Sequence, residues 1–155
     1  CPEAFEPAIA RCHAIFDALS GEPADTFKLI SLRTNYMHNS NLANMPALKR
    51  ERHALNPLHI HPDDVIALGL GAEDRLVVSN QFGAIETPFV VDDSLQPGVV
   101  AMSHGYGHAR SFGLSRAHAA PGANVNALMP TGADSHEPLS NMAHLTGVAV
   151  KIGRA

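Results

Sequence analysis

The stretch Arg75-Leu76-Val77-Val78-Ser79-Asn80-Gln81-Phe82-Gly83, which continues from Ala84 to Val91, decides the class of fold. Leu76 to Ser79 is a short run of apolar and β-branched residues, which is typical of a strand. Turn-forming residues follow, and Ala84 to Val91 is then predicted to return as a second strand. Pro88 lies inside this second run, where proline is tolerated at a sheet edge or a bulge. The stretch therefore predicts two strands joined by a tight turn.

Further strands are predicted on both sides of this pair. Thr26 to Arg33 alternates in character, so that Phe27 and Leu29 share one face of an extended segment. Val99 to Met102 and Gly147 to Ile152 are two more runs of strand-forming residues. Strands thus dominate the chain, and their spacing suits a small barrel. We expect a mainly β fold with short helices.

One amphipathic helix is predicted at the beginning of the chain, from Pro2 to Gly21. Apolar residues recur there at spacings of three and four, which places them on one helix face. They are Phe5, Ile9, Cys12, Phe16 and Leu19. Gly21 and Pro23 are typical of a helix end. Residues 1–25 are therefore expected to form a helix and a linker before the strands.

A second, shorter helix is predicted to begin at Pro62, because proline suits the first helical position. Asp63 and Asp64 then lie in the first turn, where the helix dipole favours carboxylates. Gly69 ends the helix. We interpret the two aspartates as helix-start residues rather than as a catalytic pair.

Composition excludes several classes of function. The 155 residues are 45% hydrophobic, and 11 basic against 15 acidic residues give a formal charge of −4. This balance argues against binding to a nucleic-acid backbone, which needs clustered Lys and Arg. No apolar run approaches the ~20 residues of a membrane-spanning helix. Two cysteines, Cys1 and Cys12, are too few for a disulfide scaffold or a four-cysteine metal site. The sequence does not begin with a pattern typical of a signal peptide. Because it begins at Cys1 rather than Met, as a processed product or an excised domain would, we expect a piece of a longer protein.

Unusual polar residues are concentrated in three loops: Arg33 to Asn41, His104 to His108, and Asn124 to Asn141. An Asn side chain offers donors and an acceptor together, which suits a heterocycle with mixed edges. Gly105 and Gly107 allow backbone amides to approach a ligand closely. Glycine and asparagine are also the commonest turn residues, so each loop alone is explained equally well by turn formation.

Histidine spacing leaves a metal site as one alternative. His59 and His61 are two positions apart, while His104 and His108 are four apart, and two or three of them could hold zinc or iron. Pro57 and Pro62 bracket the first pair tightly, which disfavours that arrangement. Neither a Gly-x-Ser-x-Gly elbow nor a dinucleotide fingerprint occurs in the sequence.

The order of motifs from Phe27 to Ile152 resembles a known family. The landmarks are Arg33-Thr34 with a His/Asn-rich loop, Asn56-Pro57-x-x-Ile60-His61-Pro62-Asp63-Asp64, Asp74-Arg75-Leu76-Val77-Val78-Ser79, Pro97-Gly98-Val99-Val100, Gly105-Tyr106-Gly107, Asn124-Val125-Asn126-x-Leu128 and Gly147-Val148-Ala149-Val150-Lys151. In this order they resemble the molybdopterin-dinucleotide-binding domain at the C-terminus of molybdenum and tungsten oxidoreductases. That family includes dimethyl sulfoxide reductase and formate dehydrogenase.

This resemblance implies a fold and a cofactor. The fold is a double-psi β-barrel covering residues 26–155, and the cofactor is molybdopterin guanine dinucleotide with bound Mo or W. The resemblance also implies which residues lie near the cofactor: Arg33, Thr34, Asn35, His38, Asn39, Asn41, His104, Tyr106, Gly107, His108, Asn126, Asp134 and Asn141. Many relatives carry a Trp or a second aromatic residue where this chain has His108.

The resemblance further implies that catalysis needs other parts of the enzyme. The metal ligand and any iron–sulfur cluster belong to upstream domains in this family, so this piece alone is expected to bind cofactor without turnover. Its partners are then the remaining domains of the same oxidoreductase chain and an electron-transfer subunit, with neither nucleic acid nor membrane insertion. We expect a cytoplasmic location, or a periplasmic one if an export signal precedes the chain.

Three other functions stay open from the sequence alone. One is a free-standing barrel subunit, as in formylmethanofuran dehydrogenases. Another is a protein-recognition module, as in the N-terminal domains of some ATPases. The last is a small metal-dependent enzyme that uses His104 and His108.

Overall fold

Six strands of the described chain close into one barrel in the computed structural model, which describes residues 2–132, 135–137 and 139–155. The strands are β1 (Phe27–Ser31), β2 (Leu58–Ile60), β3 (Arg75–Asn80), β4 (Gly83–Val91), β5 (Val99–Met102) and β6 (Val148–Arg154). Their order around the barrel is β1-β5-β2-β4-β3-β6. The prediction of a mainly β fold with short helices is confirmed, while the double-psi description stays a prediction.

The predicted pair of strands forms β3 and β4, which are antiparallel and joined across the turn after Asn80. Pro88 pairs with Arg75 at the end of this ladder, and from Phe89 onward β4 pairs with β2 instead. The proline therefore lies where β4 changes partner, which explains how a closed barrel accommodates it. β2 itself has only three residues and was not predicted as a strand.

The described chain has one long α-helix and two short ones besides the strands. The predicted first helix is present as α1 (Pro2–Ser20) and the second as α2 (Pro62–Ala67), with a third, α3, at Ser115–Ala119. At α2 the side chain of His61 accepts a hydrogen bond from the backbone N–H of Asp63, which caps the helix. Asp63 and Asp64 lie in its first turn, so their interpretation as helix-start residues is confirmed. In addition, 3₁₀ helices occur at residues 51–53 and 125–128.

Two apolar clusters organise the interior. The larger one fills the barrel, with buried side chains from every strand: Leu29, Leu58, Ile60, Leu76, Val78, Ile85, Val100, Met102 and Val150. The smaller one lies outside the barrel and consists of Met37, Ala43, Tyr106 and Ala117. By contrast, the apolar face of α1 is solvent-exposed, with Phe16 at 70%. Within the described ranges no helix has the length and apolarity that a membrane crossing requires.

Candidate functional site

The barrel topology brings two of the predicted polar loops to the same end. β1 and β5 are adjacent and parallel, and Ser31 is aligned with Met102 at the last position of each strand. Parallel neighbours leave a sheet at the same edge, so the segments that follow them start side by side. Residues 32–57 and 103–124, called here the first loop and the second loop, therefore meet above this end of the barrel.

Arg33, Asn39 and His104 form a hydrogen-bonded cluster where the two loops meet. Asn39 Oδ1 accepts from Arg33 Nη1 at 3.0 Å and lies 2.7 Å from His104 Nε2. Arg33 Nη1 and His104 Nε2 are 3.1 Å apart. When the His104 imidazole is protonated on Nε2, both this N–H and the Arg33 Nη1–H donate to the same oxygen, Asn39 Oδ1. Burial first, and the Arg33 charge second, lower the pKa of His104, which favours this neutral form.

The backbone explains why the cluster needs a glycine next to it. A Cβ atom at Gly105 would lie 1.9 Å from the carbonyl oxygen of Asn39, so only glycine lets the two loops come this close. Asn39 itself adopts a left-handed conformation with φ of 50°, which Asn tolerates better than most residues. The Asn and Gly content of these loops is thus partly a requirement of their packing.

A cleft opens beside the cluster, at the same end of the barrel. Its volume is about 90 Å³, and its lining includes Ser31, His104 and Asn126 over the apolar floor of Leu29 and Met102. The side chain of Asn126 is exposed and forms no hydrogen bond with any residue that the structure describes. The cleft therefore combines a wall of neutral donors and acceptors with an apolar base.

Asn56 ties the first loop to the second, which sequence reasoning missed. It is 2% exposed, and its Nδ2 donates to the carbonyl oxygens of Ser103 at 2.8 Å and Ala123 at 2.9 Å. Its Oδ1 accepts from the N–H of Ala123 at 2.9 Å. The Asn56-Pro57 pair was a landmark in the sequence, but the sequence alone does not show that the side chain of Asn56 is buried. Asn56 serves as a staple between loops.

Tyr106 packs into the smaller apolar cluster instead of facing the cleft. The residue is 5% exposed, and its hydroxyl donates to the carbonyl oxygen of His53 at 3.0 Å. Burial first, and then Tyr36, raise the pKa of Tyr106 to about 12. The Lys49 ammonium lies 4.1 Å from the centre of the same ring, a cation–π contact. Tyr36 stacks on His53 with ring centroids 3.7 Å apart. Tyr106 thus anchors the second loop on the first.

Gly107 and His108 also have partners inside the loops. The N–H of Gly107 donates to the carbonyl oxygen of Pro121 at 2.7 Å. Nδ1 of His108 lies 2.9 Å from the hydroxyl of Ser111, and its Nε2 lies 3.0 Å from the carbonyl oxygen of Gly105. These contacts shape the second loop.

Other predicted residues are not drawn into the cluster. The side chains of Asn35, His38 and Asn41 are exposed and have no hydrogen-bond partner among the described residues. Asn141 lies in a separate loop, where its N–H donates to the carbonyl oxygen of Glu137. Asp134 falls outside the described residues.

Three buried polar atoms have no hydrogen-bond partner in the part of the chain that the structure describes. They are Thr34 Oγ1, Lys49 Nζ and His53 Nδ1, all on the first loop. Buried donors without partners are rare in folded proteins and each calls for an explanation. Arg33 likewise faces no carboxylate in the ion pairs of the described residues. The first loop therefore carries two cations, Arg33 and Lys49, that have no carboxylate partner among the described residues, which fits an anionic ligand.

The histidines that suggested a metal site have other partners. His59 Nδ1 pairs with Asp92 Oδ2 at 2.9 Å, and His61 caps α2. His104 and His108 bond to the loop atoms given above. Over the ranges with described coordinates, no group of three or more His, Cys, Asp or Glu side chains could hold a metal ion.

One family model covers most of the chain, and two curated proteins and a solved structure are similar to parts of it. Residues 27–148 match the family model described as "Molydopterin dinucleotide binding domain". A tetrathionate reductase subunit of Salmonella typhimurium is 34% identical over 89 residues, which is 57% of this chain and 8% of that protein. The menaquinone reductase, molybdopterin-binding-like subunit of Nitratidesulfovibrio vulgaris is 34% identical over 88 residues, covering 57% of this chain and 12% of that protein.

A solved structure gives the same fold. Acetylene hydratase from Pelobacter acetylenicus superposes with a TM-score of 0.68 at 17% identity, covering 83% of this chain and 18% of that chain. At this identity the likeness concerns the fold alone. The chain spans less than a fifth of the length of each of these three proteins.

Proposed function

The chain belongs to the molybdopterin dinucleotide binding domain family, and on this premise we propose that it holds molybdopterin guanine dinucleotide at the end of the barrel where β1 and β5 finish. The observation that carries the proposal is the cluster of Arg33, Asn39 and His104 beside the cleft. The parallel strands present this cluster on a rigid base, and Gly105 locks the two loops together.

The donors at this end suit the ligand. Arg33 uses Nη1 inside the cluster, and its remaining N–H groups are available for phosphate or a pterin carbonyl. Asn126, Asn35 and Asn41 present exposed amides, which can pair with the amino and carbonyl edge of a pterin or a guanine. The neutral His104 keeps Asn39 oriented and adds no charge of its own.

When bound, the cofactor supplies the redox-active molybdenum or tungsten, and the protein supplies position and environment. For this chain that means binding through Arg33 and the exposed amides, with Leu29 and Met102 excluding water from the base of the cleft. We place the metal ligand, any iron–sulfur cluster and the substrate channel in other parts of a longer oxidoreductase, since the chain covers 8–18% of its relatives. A cytoplasmic location stays a prediction.

The experiment measures which nucleotide the protein retains. The protein is purified from cells that make both guanine and cytosine forms of the dinucleotide, and the cofactor is released with acid and quantified by chromatography. We expect oxidised pterin and GMP in equal amounts. Arg33→Gln and Asn126→Leu should each lower retention by about tenfold, because each removes hydrogen bonds to the ligand.

Arg116→Gln is the matched control. Arg116 is exposed on α3, and among the described contacts only its backbone is engaged. Retention should therefore stay at the wild-type level. Recovery of CMP would overturn the guanine assignment, and equal retention in all variants would overturn the placement of the site at this end of the barrel.

A further inference from the structure

Lys49 is a buried cation without a counter-charge among the described residues. It is 4% exposed, and its Nζ has no hydrogen-bond partner in the described part of the chain. The ammonium lies over the face of the Tyr106 ring, 4.1 Å from its centre. A cation–π contact returns only part of the free energy lost when an ammonium leaves water. An anion is the partner that such a position lacks.

The other two unsatisfied atoms have the same chemical character. Thr34 Oγ1 and His53 Nδ1 are buried on the same loop and can both donate. His53 joins the Lys49 region through Tyr106, whose hydroxyl bonds its carbonyl oxygen, and it stacks on Tyr36 two positions after Thr34. An ammonium, a hydroxyl and an imidazole N–H are all groups that donate hydrogen bonds to an oxyanion.

We propose that Lys49, with Thr34 and His53, forms an oxyanion subsite in the first loop that takes the diphosphate group of the dinucleotide. This subsite rests on the proposed function, since that function supplies the diphosphate. The ammonium lies over the Tyr106 ring, 4.1 Å from its centre. Tyr106 thus holds the cation in place for the ligand.

The electrostatics of Lys49 give the subsite a measurable proton linkage. Burial lowers the pKa of Lys49 to about 8, because the charged ammonium loses its hydration there. A bound oxyanion favours the charged ammonium and raises this pKa again. At a pH above 8 the lysine is largely neutral before binding, so anion binding must be accompanied by proton uptake.

The test is calorimetric titration of the protein with dimethyl diphosphate, a diester whose own charges do not titrate between pH 7 and 9. Titrations at pH 7.0 and 8.5, each in two buffers of different ionisation enthalpy, give the number of protons taken up. We expect uptake near zero at pH 7.0 and clearly above one half at pH 8.5. Lys49→Met should weaken binding by at least about tenfold and abolish the uptake, because a charged donor is lost.

Two controls accompany this titration. Arg50→Met removes an exposed neighbouring cation of the same loop and should leave affinity within about twofold of wild type. Thr34→Val keeps the side-chain shape and should weaken binding several-fold; unchanged affinity would remove Thr34 from the subsite. The protein has two tyrosines and no tryptophan. Near-ultraviolet circular dichroism therefore reports mainly on Tyr36 and Tyr106, and the diphosphate should change it in wild type but not in Lys49→Met.

The outcomes separate the subsite from the proposed function. Retention of the guanine dinucleotide without Lys49-dependent diphosphate binding overturns the subsite and leaves the function standing. Diphosphate binding through Lys49 in a protein that retains no pterin overturns the proposed function alone. Binding that Lys49→Met and Arg50→Met weaken equally reflects general charge attraction and overturns the subsite.

Discussion

Replacing Asn56 by alanine tests how much this one side chain contributes to holding the two loops together. The amide makes three hydrogen bonds to backbone groups, at 2.8, 2.9 and 2.9 Å. All three lead from the end of the first loop to Ser103 and Ala123 in the second loop. Alanine removes them and leaves two carbonyl oxygens and one N–H without a partner.

The expected cost follows from these three bonds. A hydrogen bond contributes about 1 kcal/mol net, and a buried polar group left without a partner costs about 1–3 kcal/mol. Because Asn56 is almost fully buried but Ala123 is only half-buried, water can restore part of the loss at one end. We expect Asn56→Ala to lower the free energy of unfolding by about 2–4 kcal/mol.

Urea unfolding monitored by far-ultraviolet circular dichroism measures this change, provided that the m-value stays constant. Asn41→Ala is the matched control, since Asn41 is exposed and its side chain bonds to none of the described residues. It should alter the free energy of unfolding by less than about 0.5 kcal/mol. A loss below about 1 kcal/mol for Asn56→Ala would refute the staple role.

Two further predictions concern the same loops. Gly105→Ala should destabilise the protein far more than Gly113→Ala in urea unfolding: both glycines have positive φ, but of the two only Gly105 places a Cβ against the carbonyl oxygen of Asn39. Lys49→Met should be more stable than wild type at pH 7, by about 2 kcal/mol, and the difference should shrink as the pH rises from 7 to 9.5. The folded pKa of Lys49, about 8, lies below its unfolded value of 10.5, so the unfolded state binds more protons in that window and wild-type stability rises with pH. A constant difference across this range would contradict the burial of a charged Lys49.

The elements that could be predicted are those that a short, local stretch of sequence specifies. The turn after Asn80 joins two strands because apolar runs flank a group of turn residues, and this pattern needs no knowledge of the rest of the chain. Asp63 and Asp64 were assigned to a helix start by their position after Pro62. In contrast, β2 has three residues, too few to show alternation, and it exists because β4 and β5 pair with it on either side.

The candidate site was only partly predictable, because part of it depends on contacts between segments that are far apart in the sequence. Arg33 and His104 were proposed from a resemblance, and the parallel pairing of β1 and β5 explains why residues 71 positions apart meet. Lys49 and Asn56 gave no such signal, because the sequence does not distinguish a buried amide or ammonium from an exposed one. Their environments are created by the contact between the two loops, which is a tertiary property.

Some candidate residues use their polar atoms to hold the loops in shape, whereas others keep polar atoms free for a ligand. Tyr106 and His108 direct their polar atoms to loop backbone and side-chain groups, so they act on a ligand through the shape of the loops. Asn126 keeps its side-chain amide free at the cleft, and Arg33 keeps N–H groups free beside it, next to His104. Pre-organised loops lower the ordering cost of binding. Replacing a residue of the first kind should therefore weaken binding together with stability, whereas replacing Asn126, whose side chain bonds to none of the described residues, should weaken binding alone.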